Sequence, residues 1–395
     1  MADNKDKKVL NVPALRFPEF TEEWEKLRLS DFATKITKKN KGNIVKNVLC
    51  NSANFGLVPQ GNYFDREIAN TENTDGYYVI CNGDFVYNPR KSTAAPFGPV
   101  NIYEGEDAGI ISPLYLCFSV HNIFPKFLYY RFKSSVWHSY VYSHGDSGVR
   151  FDRVSIKDDV FFDMPVYKPV QDEQVKIATL LQLIDERIST QNKIIEDLKK
   201  LKSAIVDKLY SSTKGQTYSF RQLFEVVNEK NKNNAYSNVL SASQELGMIE
   251  RSDINIDIKF EQDSISRYKI VRRGDYVVHL RSFQGGFAFS DRTGICSPAY
   301  TILRPNDIVA YGYLSHFFTS KPFIKSLKLV TYGIRDGRSI NVDEWLDMTV
   351  TLPTKQEQIH ILAIINAIDN KLCNENQIQN CLLRQRTYFL KTMFI

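Results

Sequence analysis

A chain of 395 residues, 43% apolar and 24% charged, has material for two or three packed cores. It excludes a bundle of membrane spans, because no stretch nears the ~18 consecutive apolar residues a span needs. Net charge +6 and a pI near 8.8 permit a nucleic-acid partner without demanding one, and six cysteines with no C-x-x-C pair exclude a disulfide or zinc framework. The expected location is a reducing cytoplasm. The opening MADNKDKKVLN is charged and lacks the apolar run of a secretory signal.

Residues 1–166 read as a globular part. YYVICNGDFVYN (77–88) predicts strand, Gly-Asp turn, strand, and so a hairpin. FPKFLYYRFKSSVWHSYVYS (124–143) reads as helical and aromatic. Residues 167–212 predict one long helix. Ile177, Leu181, Ile184, Ile188, Ile195, Leu198, Ile205 and Leu209 follow a 3-4 spacing, with Gln191 and Lys202 in the two remaining seam slots.

The next elements repeat the first. NVLCNSANFGLV (47–58) returns as NVLSASQELGMI (238–249), and the Gly-Asp block returns as YKIVRRGDYVVHL (268–280), both displaced by 191 residues. GIISP (109–113) returns as GICSP (294–298), and GYLSHFFTSKPFIKSLKLV (312–330) is again aromatic and helical. Residues 213–350 are thus a second globular part. Residues 351–395 are a second long helix, with Ile361, Ile365, Ile368, Leu372, Leu382 and Phe389 on the seam and Glu375, Gln379 and Arg386 between them. KPVQDEQVKIATLLQLIDERI (168–188) and LPTKQEQIHILAIINAIDNKL (352–372) open the two helices alike.

Neither helix buries five heptads against its own modest domain, so the two are expected to pack on each other. Connectivity makes them antiparallel, with a domain at each end and a pseudo-two-fold axis between. The other reading places each as an amphipathic helix on its own domain. The fold class is α+β: two tandem α/β domains joined by two long antiparallel coiled-coil helices. About 35 residues at 1.5 Å rise give roughly 50 Å. Such a spacer suits two readers of a linear target, since B-DNA presents the same face every 34–36 Å or so.

The architecture, the DEQVKIATLLQLIDERI and QEQIHILAIINAIDNKL helix starts, the opening LRFPEFTEEWEKLRLSDFA (15–33) and the Gly-Asp turns resemble the DNA-specificity subunit of type I restriction-modification enzymes. The resemblance spans nearly the whole chain and is most specific in the helices. It implies two target-recognition domains, each reading half of a split asymmetric site on double-stranded DNA. It implies helices that set the gap and dock two methyltransferase subunits, with restriction subunits completing the enzyme. It also implies a non-catalytic chain without a cofactor of its own, S-adenosylmethionine, ATP and Mg belonging to the partner subunits. A competing class is an adaptor with two interaction domains and no nucleic acid.

Residues for DNA contact are sought where the copies match. Asn51 and Asn54 lie in NSANFG (51–56), the block opposite SASQELG (241–247) with its Ser243 and Gln244, and Asn and Gln can read adenine by two hydrogen bonds. Arg90, Lys91 and Ser92 lie opposite Arg281, Ser282 and Gln284, an Arg standing in the same loop of each copy. Arg150 and Arg153 lie opposite Arg335 and Arg338 in Gly-rich segments that let backbone approach phosphate. The run Lys35, Lys38, Lys39, Lys41 and Lys46 has only Lys230 and Lys232 opposite it and reads as a solvated face. Asn88-Pro89 has just two letters of an adenine-methyltransferase motif, and no histidine set has metal spacing, so no catalytic or metal residue is expected.

Overall fold

In a computed structural model the described residues are 10–63, 74–145, 152–243, 246–251, 262–279, 286–332 and 339–395. They divide into two compact units, Met1–Gln191 with Ile378–Ile395, and Asn192–Gln377.

The first unit runs β1 (Glu25–Arg28), β2 (Ala33–Lys35), β3 (Leu49–Ser52), β4 (Gly56–Pro59), a short α1 (Gln60–Tyr63), β5 (Tyr78–Ile80), β6 (Phe85–Tyr87), β7 (Val100–Ile102), β8 (Gly109–Ile111) and β9 (Leu116–Val120). Three helices follow, α2 (Pro125–Lys133), α3 (His138–His144) and α4 (Asp158–Phe162), then β10 (Pro165–Lys168) and the start of the long α5 (Gln171–Ser211). The main sheet is antiparallel in the order β2-β9-β6-β7, with β3-β4, β5-β8 and β1-β10 as separate pairs. Phe85, Tyr87 and Phe118 point from this sheet into an aromatic core with Phe127, Phe132, Trp137 and Phe161. The apolar stripe of α2 meets the sheet there.

The second unit repeats that plan. It has β11 (Gln216–Ser219), α6 (Phe220–Leu223), β12 (Phe224–Val227), β13 (Leu240–Ser243), β14 (Gly247–Glu250), β15 (Lys269–Val271), β16 (Tyr276–Val278), β17 (Phe287–Phe289), β18 (Gly294–Cys296) and β19 (Thr301–Pro305). Next come α7 (Tyr313–Phe317), α8 (Lys321–Ser326), β20 (Thr331–Tyr332), β21 (Ser339–Ile340), α9 (Val342–Asp347), β22 (Thr349–Leu352) and the long α10 (Lys355–Thr392). Its main sheet is β12-β19-β16-β17, with pairs β13-β14, β15-β18 and β11-β22, each with its counterpart in the first unit, and it adds the pair β20-β21. Even single bridges repeat: the parallel Val48–Ile110 bridge returns as Val239–Ile295.

Two sequence expectations are corrected. The Gly-Asp turns do not close hairpins: β5 pairs with β8 and β6 with β7 and β9, and β15 and β16 behave alike. Each turn instead hands the chain from a two-stranded pair to the main sheet. Gly83 (φ +90°) and Gly274 (φ +99°) take the left-handed backbone this needs. The following Asp84 and Asp275 accept the N–H of Cys81 (2.6 Å) and Arg272 (2.8 Å). The aromatic stretches are also broken, into α2 and α3 and into α7 and α8. Ser134 and Ser320 end the first helix of each pair by donating to the carbonyls of Arg131 (2.6 Å) and Phe317 (2.7 Å).

The heptad seams face inward. Every seam residue named above is buried or half-buried, including polar Gln191 and Glu375. In the first unit Ile177 and Leu181 of α5 share a core with Leu390, Met393 and Phe394 at the end of α10. Further along α5, Asp185 accepts Arg386 Nε at 2.5 Å, so the two helices run antiparallel here. In the second unit Lys202 donates to Asp369 at 2.5 Å. Asp185 and Asp369 hold the same slot of the repeat, as do Arg386 and Lys202, so both ion pairs use one design.

The repeated Glu-Gln dipeptide joins each helix to its domain. Gln174 accepts the Phe124 N–H (2.8 Å) and donates to the Pro169 carbonyl (2.8 Å). Gln358 accepts the Ala310 N–H (2.8 Å) and donates to the carbonyls of Pro353 and Ile308 (both 3.1 Å). The preceding acids differ. Glu173 is fully buried in a two-pronged pair with Arg16 (2.7 Å each), whereas Glu357 caps its helix by accepting from Thr354 N (2.9 Å) and Oγ1 (2.7 Å).

Candidate nucleic-acid interface

The first unit carries a cleft of about 750 Å³ between the β3–β4 hairpin and the loop after β6. Its polar lining is Asn51, Ser52, Asn54, Gln60, Asn88, Arg90, Lys91, Ser92, Thr93 and Ser112, with Tyr77 and Tyr115 as aromatic walls and no carboxylate. Cations, amides and hydroxyls without acids are the groups that hold phosphates and read base edges.

The fold brings separate sequence blocks together here. The Lys91 N–H donates to the Asp152 carbonyl (2.8 Å) and the Val154 N–H to the Pro89 carbonyl (2.8 Å), setting Arg90 across from Arg153. Two loops chosen for their arginines are therefore one two-stranded ladder. Arg90, Lys91 and Ser92 are exposed, and Arg153 is half-buried. Among the described residues none of these three cations has a carboxylate partner, which leaves their charge available. Burial pushes the Tyr115 hydroxyl up, against the pull of the neighbouring Arg153 and Arg90 cations.

Asn51 and Asn54 part ways. Asn54 is exposed beside the cleft. Asn51 is 7% exposed and its amide is engaged inside the unit. It donates to the Val86 carbonyl (2.8 Å) and accepts Asn101 Nδ2 (2.5 Å). Asn101 also donates to the Ser52 carbonyl (2.9 Å) and accepts Lys133 Nζ (2.6 Å). Burial, then the Arg386 charge, pulls Lys133 down to about 8. Asn51 thus fixes the hairpin, a positioning role that its alignment with Ala242 does not display.

In the second unit Ser243 is half-buried, and its Oγ accepts the Leu246 N–H at 3.2 Å, a turn-forming bond. Arg150, Gln244, Arg281, Ser282, Gln284, Arg335 and Arg338 lie outside the described residues. The sequence reading passed over Asn101, Lys133 and Tyr115. Tyr115 had a signal, because Ser112-Pro113-Leu114-Tyr115 returns as Ser297-Pro298-Ala299-Tyr300. Asn101 and Lys133 had none, for their partners come from distant strands. Among the described residues no group of three or more His, Cys, Asp or Glu is placed to hold a metal ion, and no helix is long and apolar enough to cross a membrane.

Residues 21–200 match the family model described as the type I restriction modification DNA specificity domain. No curated protein matches the chain. Solved structures share its fold at low identity, three of them as follows. A chain from a study of complex assembly and conformational transition of the type I R-M system has a TM-score of 0.60 and 13% identity, covering 93% of this chain and 96% of its own length. The HsdS subunit from Thermoanaerobacter tengcongensis gives 0.52 and 14%, covering 94% and 96%. The type I restriction-modification S subunit from M. genitalium gives 0.54 and 13%, covering 97% and 99%.

Proposed function

We propose that this member of the type I restriction-modification specificity subunits reads a bipartite, asymmetric DNA site, one half with each globular domain, and scaffolds the subunits that act on it. The observation that carries the reading is the cleft of the first unit. Arg90, Lys91, Ser92 and Asn54 line it without an acid, and the Arg90 loop is laddered to the strand bearing Arg153. Lys91 and Arg153 suit phosphates, which position the duplex, while Arg90 and Asn54 suit base edges, which specify it. The matching topology of the second unit and its Arg281, Gln284, Arg335 and Arg338 support a second reader with a different preference.

The two helices serve as an antiparallel spacer, and the equivalent ion pairs Asp185–Arg386 and Lys202–Asp369 support a pseudo-two-fold relation between the repeats. A symmetric spacer offers equivalent surfaces to two methyltransferase subunits. Methyl transfer with S-adenosylmethionine, and cleavage with ATP and Mg, fall to the methyltransferase and restriction subunits. The chain itself recognises and assembles.

The test is titration of the chain, with its methyltransferase partner, against its bipartite site and a scrambled duplex at several salt concentrations. We expect a clear preference for the site and a steep salt slope. Lys91→Ala should weaken both duplexes alike and flatten the slope by about 0.9 per phosphate lost. Arg90→Ala should reduce the preference by about 1–3 kcal/mol. Absence of both preference and slope in the wild-type complex would refute the reading.

A further inference from the structure

The tips of the β3–β4 and β13–β14 hairpins share a feature that reading base edges or holding phosphates does not use. Phe55 is 70% exposed, and at the equivalent position of the second hairpin Leu246 is 72% exposed. One exposed apolar side chain is ordinary. Here two copies that differ at Ala53/Gln244 and Asn54/Glu245 both keep a large apolar residue at the same point of the turn.

The turn presents that residue in one way in both units. The Phe55 N–H donates to Ser52 Oγ at 3.2 Å, and the Leu246 N–H donates to Ser243 Oγ at 3.2 Å. The following Gly56 and Gly247 take φ of +73° and +72°, a backbone that favours glycine. In the first unit the hairpin base is also locked, by Asn51 on the Val86 carbonyl and by Asn101 on Asn51 and the Ser52 carbonyl. Phe55 adjoins Asn54, which lines the cleft with the exposed Arg90 and Lys91. A fixed base, an apolar tip and flanking cations are what an intercalating side chain needs. The cations hold the backbone while the tip enters between bases and unstacks them.

We propose that Phe55 and Leu246 are apolar wedges, each entering the base stack of duplex DNA at one half-site. The proposal rests on the DNA-reading function above and adds how each domain deforms what it reads. The Phe55 ring stacks on a base, while Leu246 fills the opened step by shape alone.

The experiment uses the full chain with its methyltransferase partner and the bipartite site mapped from methylated host DNA. 2-Aminopurine replaces each base of both half-sites in turn, leaving out the methylated adenines. A step in each half-site should brighten on binding. Phe55→Ala should return the first half-site to free-duplex fluorescence and leave the second bright, and Leu246→Ala should do the reverse. Phe55→Leu should keep the signal, because the second unit uses Leu. Phe55→Leu keeps an apolar side chain at the tip and is the control for folding and partner assembly. Binding without brightening at any position, or brightening that survives Phe55→Ala, overturns the wedge and leaves DNA reading intact. Absence of binding by the wild-type complex overturns both.

Discussion

The first unit holds its β3–β4 hairpin with a polar chain from Lys133 to Asn101 to Asn51, and the second unit has Thr319, Ala288 and Ala242 at the equivalent positions. Ala288 is buried and Ala242 packs beside it against Leu240, Met248 and Val277. The pairings of the main sheet and of the hairpin are the same in both. Likewise Gln174 and Gln358 do the same job, while Glu173 is buried with Arg16 and Glu357 is an exposed cap. Alternating apolar residues fix where strands go, and that frame tolerates either a polar or an apolar anchor beneath the hairpin that lines the cleft. The cleft can therefore be retuned at its anchor without redrawing the sheets.

The largest expected effect tests the Glu-Gln comparison. Glu173→Ala leaves Arg16 in a nearly buried site without its partner, which should cost about 3–5 kcal/mol. Glu357→Ala removes only an exposed cap and should cost far less. Urea unfolding, with hydrogen exchange in β1 and β10 against β11 and β22, reads the two separately. Equal losses would break the contrast.

The next effect sharpens the anchor comparison. Lys133 titrates near 8 in the fold and at 10.5 when unperturbed. A lowered cation value means the fold disfavours the charged form. That penalty is complete below pH 8 and is relieved as pH rises from 8 towards 10.5. Stability should rise by up to about 3 kcal/mol across the window relative to Lys133→Thr, which installs the second unit's residue. An identical pH profile in both proteins would sink this account.

The smallest effect concerns the helices. Asp369→Asn weakens a partly exposed pair with Lys202 and should cost about 0.5–1 kcal/mol. Asp185→Asn should cost more, because Asp185 also accepts the Tyr130 hydroxyl at 3.1 Å, and double-mutant cycles with Lys202 and Arg386 separate the pairs. Equal losses in the two single mutants would show that Tyr130 adds nothing.

The repeated blocks made the frame legible, since matching blocks became matching strands and the 3-4 spacing marked the inward face of both long helices. Which strand pairs with which was not legible. YYVICNGDFVYN shows two strands around a turn, and nothing local says that each seeks a different neighbour. At the cleft, residue type and repeat symmetry drew attention to Arg90 and Arg153, which the backbone ladder places together. The same logic grouped Asn51 with Asn54, although Asn51 turns inward to partners 35 and 50 residues away. A side chain's direction within a turn depends on contacts that sequence neighbours do not encode.

The Gln174 and Gln358 amides make each domain a fixed fitting on a rotating shaft. An α-helix turns about 100° and advances about 1.5 Å per residue. Four residues added to one helix, and four to its partner to keep the seam, swing a fitting by about 40° over about 6 Å. Seven swing it by only about 20° over about 10 Å. Lengthening this protein is therefore also steering it: heptad-sized insertions should carry a domain along the helix axis on nearly the same heading, whereas other lengths should turn it.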